Sequence, residues 1–164
     1  MKGIPTLPVN CIPVGVTFAS AVIDAILPTD VVCGKNIKDK NPIQINIDKI
    51  SSDYMILDIG YKTVELINNE IKNSKMVLWN GPLGAFEYKP YDRATNEIAL
   101  NIKEKAKNFS IQTLAGGGDT ISSIKNANAE DGFDYISNAG GAFLEWLEGN
   151  QSPGVIALRE NNLS

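Results

Sequence analysis

Four times in this chain a short apolar run ends at glycine and a turn or helical periodicity follows: at Gly60, at Gly81 and Gly84, at Gly116–Gly118, and at Gly140 and Gly141. A strand followed by a helix can pair with the next strand in parallel, and such crossovers are right-handed. The recurrence predicts an α/β protein with a Rossmann-like parallel sheet and helices on both faces. In such sheets ligands bind outside the carboxyl ends of the strands. All four glycine turns are expected at that edge.

The stretch Thr113–Ile124 carries the most chemistry. It reads as a short apolar strand, a triple-glycine turn and the start of a helix. Gly116, Gly117 and Gly118 can take positive φ and leave backbone N–H groups uncovered. A helix N-terminus adds a partial positive charge and free donors, which suits a phosphate. Asp119 and Thr120 fall where a cap and first turn should be. Two readings compete for Asp119. It caps a ligand-free turn, or it holds Mg²⁺ beside a phosphate, since Mg²⁺ sites often use one carboxylate with substrate phosphates.

Elsewhere the pattern is regular. Strands are expected at Ile26–Cys33, with a turn or bulge at Pro28, and at Ile43–Ile47, where isoleucines alternate with polar residues. A buried strand is expected at Tyr54–Gly60, then a helix from Thr63, its N-cap, to about Asn73 with Val64, Ile67 and Ile71 inward. Lys75–Asn80 is a further strand. A helix from about Tyr91 to Lys107 buries Ala94, Ile98, Ala99, Ile102 and Ala106 and leaves Glu97, Lys103, Glu104 and Lys107 in water. Asp134–Ser137 is a strand, and Ala142–Glu148 a helix ending at Gly149.

Composition removes several chemistries. The chain has 164 residues and no histidine, so Ser-His-Asp and Cys-His catalysis and His-ligated metals are excluded. Cys11 and Cys33 are too few for a disulfide framework or a zinc site. A net charge of −4 gives no reason to expect nucleic acid or an anionic membrane as partner. Neither common nucleotide fingerprint is present: residue 121 is Ile where G-x-G-x-x-G needs glycine, and Gly60-Tyr-Lys-Thr63 lacks the upstream glycine of a P-loop.

Residues 1–25 differ from the rest. From Gly3 to Ile23 there is no charge, and Pro5, Pro8 and Pro13 recur. A signal peptide with Lys2 and Ala19-Ser20-Ala21 is one reading. An irregular leader outside the fold is the preferred one, because prolines and Asn10 break the apolar run.

Taken together the turns resemble one family. Leu57–Thr63, Trp79–Glu87, Ala115–Thr120, Ser137–Glu145 and Leu147–Gly149 with Pro153–Gly154 look like the ordered motifs of phosphoglycerate kinase. The resemblance runs from about Ile26 to Leu158, within a unit spanning 26–164. It implies part of the C-terminal nucleotide-binding domain. The N-terminal domain for 3-phosphoglycerate and the first part of the C-terminal domain are not matched. The implied activity is phosphoryl transfer between 1,3-bisphosphoglycerate and ADP, giving 3-phosphoglycerate and ATP in the cytoplasm, with Mg²⁺ and ADP or ATP as ligands. The alternative is a non-catalytic truncated fragment with at most residual Mg-nucleotide binding.

The resemblance also implies roles. Glu87 looks like the ribose-hydroxyl partner, Asn80 and Pro82 like a wall near the phosphates and nucleoside. Gly117, Gly118, Asp119 and Thr120 look like the phosphate cradle, with Asp119 on Mg²⁺. Gly140 and Gly141 look like the helix start facing the transferring phosphoryl group. Two departures stand out: Tyr61 replaces the family's usual proline, and Asn138-Ala139 its usual Thr-Gly, which sets Ala139 where positive φ is suspected. Trp79 and Trp146 read as core rather than base platforms. A partial sheet also implies a bare edge and self-association through it, with Tyr54–Ile59 and Ile26–Val32 as candidate edge strands.

Overall fold

The computed structural model describes residues 25–108, 111–147 and Gly149. Most of the leader and the segment beyond Gly149 lie outside the described residues, as do the side chain of Trp146 and the end of the last helix at Glu148.

Two three-stranded sheets share the described chain. The first is antiparallel, in the order β2-β1-β3, from β1 (Asp30–Gly34), β2 (Ile43–Asn46) and β3 (Met55–Ile59). The second is parallel, in the order β4-β5-β6, from β4 (Met76–Trp79), β5 (Gln112–Gly116) and β6 (Tyr135–Ser137). The helices are α1 (Tyr61–Asn73), α2 (Arg93–Lys107), α3 (Gly118–Asn126) and α4 (Gly140–Leu147).

The expected parallel sheet is therefore confined to the second half. The reason is local. Between β1 and β2 lies only the loop 35–42, which is too short for a crossover, so the strands fold back on each other. Strand–helix alternation starts only after β3. Strand β3 is also less buried than expected. Met55 and Ile56 are exposed, whereas Leu57, Asp58 and Ile59 are buried.

The main core lies between the parallel sheet and its helices. Val77, Trp79 and Ala115 from the strands meet Val64 and Ile71 of α1, Ala94, Ile98, Ala99 and Ile102 of α2, and Ile124 of α3. Ile67 is packed against this core, and Ala106 is half-buried rather than buried. Trp79 is a core residue: its ring meets Phe133 at 6.1 Å between centroids, and its indole N–H donates to Gly81 O. Lys103 departs from expectation. Its ammonium donates to Asn128 O at 2.6 Å and pairs with Asp131 at 2.5 Å, fastening α2 to the turn after α3. Among the described residues no helix is long and apolar enough to cross a membrane.

Candidate functional site at the carboxyl ends of the parallel strands

Three of the four glycine turns meet. Gly117 follows β5 with φ +99°, and it is the N-cap of α3. Its N–H donates to Ser137 O of β6 at 3.1 Å. A Cβ on Gly140 would lie 2.7 Å from Gly117 Cα and 3.4 Å from Asn80 Oδ1. A Cβ on Gly117 would lie 3.3 Å from Asn80 Oδ1 and 3.4 Å from Thr120 Oγ1. Asn80, Gly117, Thr120 and Gly140 thus converge from the ends of β4, β5 and β6. Close backbone approach is possible because two of the four have no side chain.

The first intrahelical bond of α3 is from Ile121 N–H to Gly117 O at 3.0 Å. The N–H groups of Gly118, Asp119 and Thr120 are therefore the unsatisfied donors of the first turn. Gly118 has no neighbour within 4 Å of its would-be Cβ, and neither has Gly141, so both sit on open ground. Asp119 is exposed and lies in the first turn, not at the cap where the sequence placed it, because Gly117 takes that role. Thr120 is buried, and its hydroxyl accepts Gly81 N–H at 2.7 Å. It ties the β4 turn to α3.

Pro82 is half-buried on the loop after β4, and Glu87 is exposed further along it. No hydrogen bond among the described residues joins Glu87 to the converging glycines. Ala139 does not need positive φ: Asn128 is the one non-glycine residue with it among the described residues. The Ala139 N–H donates to Ser137 Oγ at 3.3 Å. Gly60 stands apart from the convergence. It packs on Asp30 in the antiparallel sheet, as Gly84 packs on Asp58.

Two buried carboxylates that sequence reasoning gave no role organise the frame around this site. Asp30 accepts Lys62 N–H at 3.1 Å, Thr63 N–H at 2.9 Å and the Thr63 hydroxyl at 2.7 Å, so it caps α1 from β1. Burial pushes its carboxyl up, but the bonds from Thr63, Lys62 and Gln44 outweigh that and hold it below the ordinary value. Asp58 accepts Ala94 N–H at 3.0 Å and caps α2 from β3. Its burial wins over its hydrogen bonds and over Arg93, and its pKa is pushed up to about 6. Arg93 spans the same junction, donating to Ile59 O at 3.0 Å and lying 3.7 Å from the centroid of the Tyr61 ring.

Among the described residues no group of three or more His, Cys, Asp or Glu side chains could hold a metal. Asp119 is a single carboxylate beside free amides. That donor set suits a hydrated Mg²⁺ only where phosphate oxygens complete the shell.

Fold and strand-end turns together define an α/β protein with one antiparallel and one parallel sheet, and glycine backbone from the strand ends packs closely at the carboxyl edge of the parallel one. Comparison with known proteins gives the family. The phosphoglycerate kinase family model matches residues 17–150, beginning ahead of Ile26. Phosphoglycerate kinase of Azorhizobium caulinodans is 45% identical over 144 residues, covering 87% of this chain and 36% of the relative. That of Zymomonas mobilis is 46% identical over 133 residues, covering 80% and 34%. The solved phosphoglycerate kinase of Coxiella burnetii superposes with a TM-score of 0.72 at 32% identity, covering 79% of this chain and 33% of that one. That of Pyrococcus horikoshii gives 0.64 at 28% identity, covering 80% and 32%. The chain belongs to the phosphoglycerate kinase family, and it spans about a third of the length of the relatives it matches.

Proposed function

We propose that the carboxyl-edge cluster binds the phosphates of Mg-ADP or Mg-ATP and that the chain carries the nucleotide half of phosphoglycerate kinase chemistry. The observation behind this reading is the convergence of Asn80, Gly117 and Gly140 beside the free first-turn amides of α3. Gly117 and Gly118 leave room for phosphate oxygens at those amides. Asp119 would hold the metal, which supplies charge neutralisation at the phosphates when bound. Thr120 keeps the cradle in place through Gly81. Asn80 and Pro82 form the wall, Glu87 accepts the ribose hydroxyls, and the α4 start at Gly140 and Gly141 faces the transferring phosphoryl group.

The whole reaction is transfer between 1,3-bisphosphoglycerate and ADP in the cytoplasm. Such transfer is mostly positioning and electrostatic stabilisation. The isolated chain supplies the nucleotide side; the 3-phosphoglycerate side belongs to sequence it does not match. A second reading, a non-catalytic fragment with residual nucleotide binding, is favoured by the share of the relatives covered, 36% and 34%. The two separate in a coupled assay. No measurable turnover is expected from the chain alone, since losing one transition-state cation costs about 10³–10⁵ in rate in comparable enzymes. Turnover near that of a full-length relative would refute this. Binding is tested by calorimetric titration of ADP in the presence and absence of Mg²⁺. Weak, Mg²⁺-dependent binding is expected, and Asp119→Ala should remove the Mg²⁺ dependence. Equal binding by both proteins in Mg²⁺ excludes the metal role.

A further inference from the structure

Asn80 directly follows β4, and the next residue is Gly81, the one Asn-Gly step in the sequence. An asparagine carboxamide is a weak electrophile, and the following backbone nitrogen is the nucleophile nearest to it. A side chain on the attacking residue crowds the ring that forms, and glycine has none. The turn leaves room for the attack. Asn80 is exposed, and its carboxamide makes no hydrogen bond among the described residues. Gly81 takes φ +114°, and nothing lies within 4 Å of its would-be Cβ. Other asparagines are less apt. Asn41 precedes proline, which has no N–H, and the Ser74 N–H after Asn73 is bonded to Ile71 O at 3.3 Å. At Gly81 a different kind of contact opposes the reaction. Its N–H donates to the hydroxyl of buried Thr120 at 2.7 Å, and the Trp79 indole donates to its carbonyl. The nitrogen has to give up the Thr120 bond before it can lose its proton and attack.

We propose that Asn80-Gly81 is a self-modification site, the first carboxamide that the folded chain loses among the described residues, and that the Thr120 hydroxyl sets its rate. In the first step the Gly81 nitrogen bonds to Asn80 Cγ and gives up its proton. The Cγ–Nδ2 bond breaks, and ammonia leaves with that proton. Water then opens the cyclic imide at either carbonyl, which leaves aspartate or isoaspartate at position 80. The product carries a carboxylate where Asn80 Oδ1 now lies beside Gly117 and Gly140. Isoaspartate also adds a methylene to the backbone of the turn. Either product would set a negative charge against incoming phosphates. That consequence rests on the nucleotide reading above; the modification itself does not. Thr120 thus has two tasks: it ties the β4 turn to α3, and it keeps the residue at the end of β4 neutral.

The test ages the full chain at pH 8 and 37 °C, in buffer and in guanidinium chloride, and maps its peptides by mass spectrometry. Conversion should appear at Asn80 ahead of every other asparagine among the described residues. It should run about tenfold slower in the folded chain than in denaturant, the effect of one hydrogen bond on a rate. Thr120→Val should raise the folded rate about tenfold. Thr120→Ser, which keeps the hydroxyl, should stay near wild type. In both variants the Ile121 amide, which bonds Gly117 O, should keep its wild-type protection in hydrogen exchange. Another asparagine converting first overturns the proposal, as do equal rates in buffer and denaturant. So does a folded Thr120→Val protein that reacts no faster than wild type. A faster reaction that comes with lost protection at Ile121 belongs to fraying of α3 and overturns the role of the hydroxyl. If Thr120→Val does not fold, the wild-type rates in buffer and denaturant still decide the site and its restraint. Mg-ADP titration of fresh Asn80→Asp reads the consequence separately: weaker binding than wild type is expected, and equal binding removes Asn80 from the phosphate wall without touching the mass result.

Discussion

Gly117 and Gly118 are neighbours in the sequence, yet the structure asks different things of them. Gly117 has φ +99° and ψ 144°, a region almost reserved for glycine. Gly118 has ordinary helical geometry with open space at its would-be Cβ. Gly117→Ala is therefore expected to destabilise the fold by about 1–3 kcal/mol. Gly118→Ala should leave stability unchanged or raise it by up to about 1 kcal/mol, since alanine favours a helix. Its methyl group would nonetheless stand beside the first-turn amides, so Mg-nucleotide binding should weaken. Urea unfolding and titration on both variants check this, and a Gly118→Ala protein that binds as well as wild type would move the phosphate elsewhere. The sequence showed that glycines were needed here, because a glycine run between strand and helix has few other uses. It did not show which glycine takes positive φ, nor that Thr120 is committed to Gly81. Both depend on β4 and β6, which stand tens of residues away. The sequence placed Asp119 at the cap, but Gly117 takes the cap and Asp119 lies in the first turn.

The helices begin where distant carboxylates let them. Helix α1 was expected from Thr63 with Thr63 as cap, and it starts at Tyr61 because Asp30 on β1 takes the free amides. No local window contains that partner, which lies more than thirty residues upstream. Asp30→Asn should cost about 1.5–3 kcal/mol, the range for hydrogen bonds to a charged group. Gln44→Ala should cost less, since Gln44 makes one bond to Asp30 and is itself exposed. Denaturant midpoints for the two variants decide it; equal losses would mean that Asp30 does not act as the cap. Helix extents, by contrast, were readable to within about two residues, because the apolar spacing of α1 and α2 reports directly on the core. Sheet direction was misread in the first half for a physical reason. Isoleucine alternation at Ile43–Ile47 reports a half-exposed strand but not its sense. The clue to antiparallel pairing was the absence of an α-helix between Gly34 and Tyr54, where only a single 3₁₀ turn, Ile47–Lys49, intervenes.

At the scale of the whole molecule, Asp58 joins the two sheets. It stands on β3 of the antiparallel sheet and caps α2, whose Ile98 and Ile102 fill the core under the parallel sheet. Arg93 and Asp92 are the charged groups that bear on it, the first lowering and the second raising its pKa, both less than burial does. Because its folded pKa lies above the ordinary 3.8, the folded state holds the Asp58 proton more tightly than the unfolded chain. Stability then falls as pH rises from about 3.8 to about 6, and the full penalty is present above that. The displacement corresponds to about 3 kcal/mol. Asp30 works with the opposite sign. Its folded pKa lies below the ordinary value, so its contribution is complete above pH 3.8 and is lost only in stronger acid. The chain should therefore be most stable in mild acid, near the ordinary carboxylate pKa, and less stable at pH 7. Asp58→Asn is neutral like the protonated carboxyl and likewise offers one strong acceptor to the Ile59 and Ala94 amides, so in mild acid it should match wild type to within about 1 kcal/mol. It should also lose the slope, becoming the more stable of the two as pH rises to 7. Urea unfolding midpoints measured from pH 4 to pH 7.5 read both effects. A wild-type curve that climbs across this range, or a variant that keeps the wild-type slope, would show that Asp58 is ionised throughout and that the junction between the sheets is held by a charge rather than by a proton.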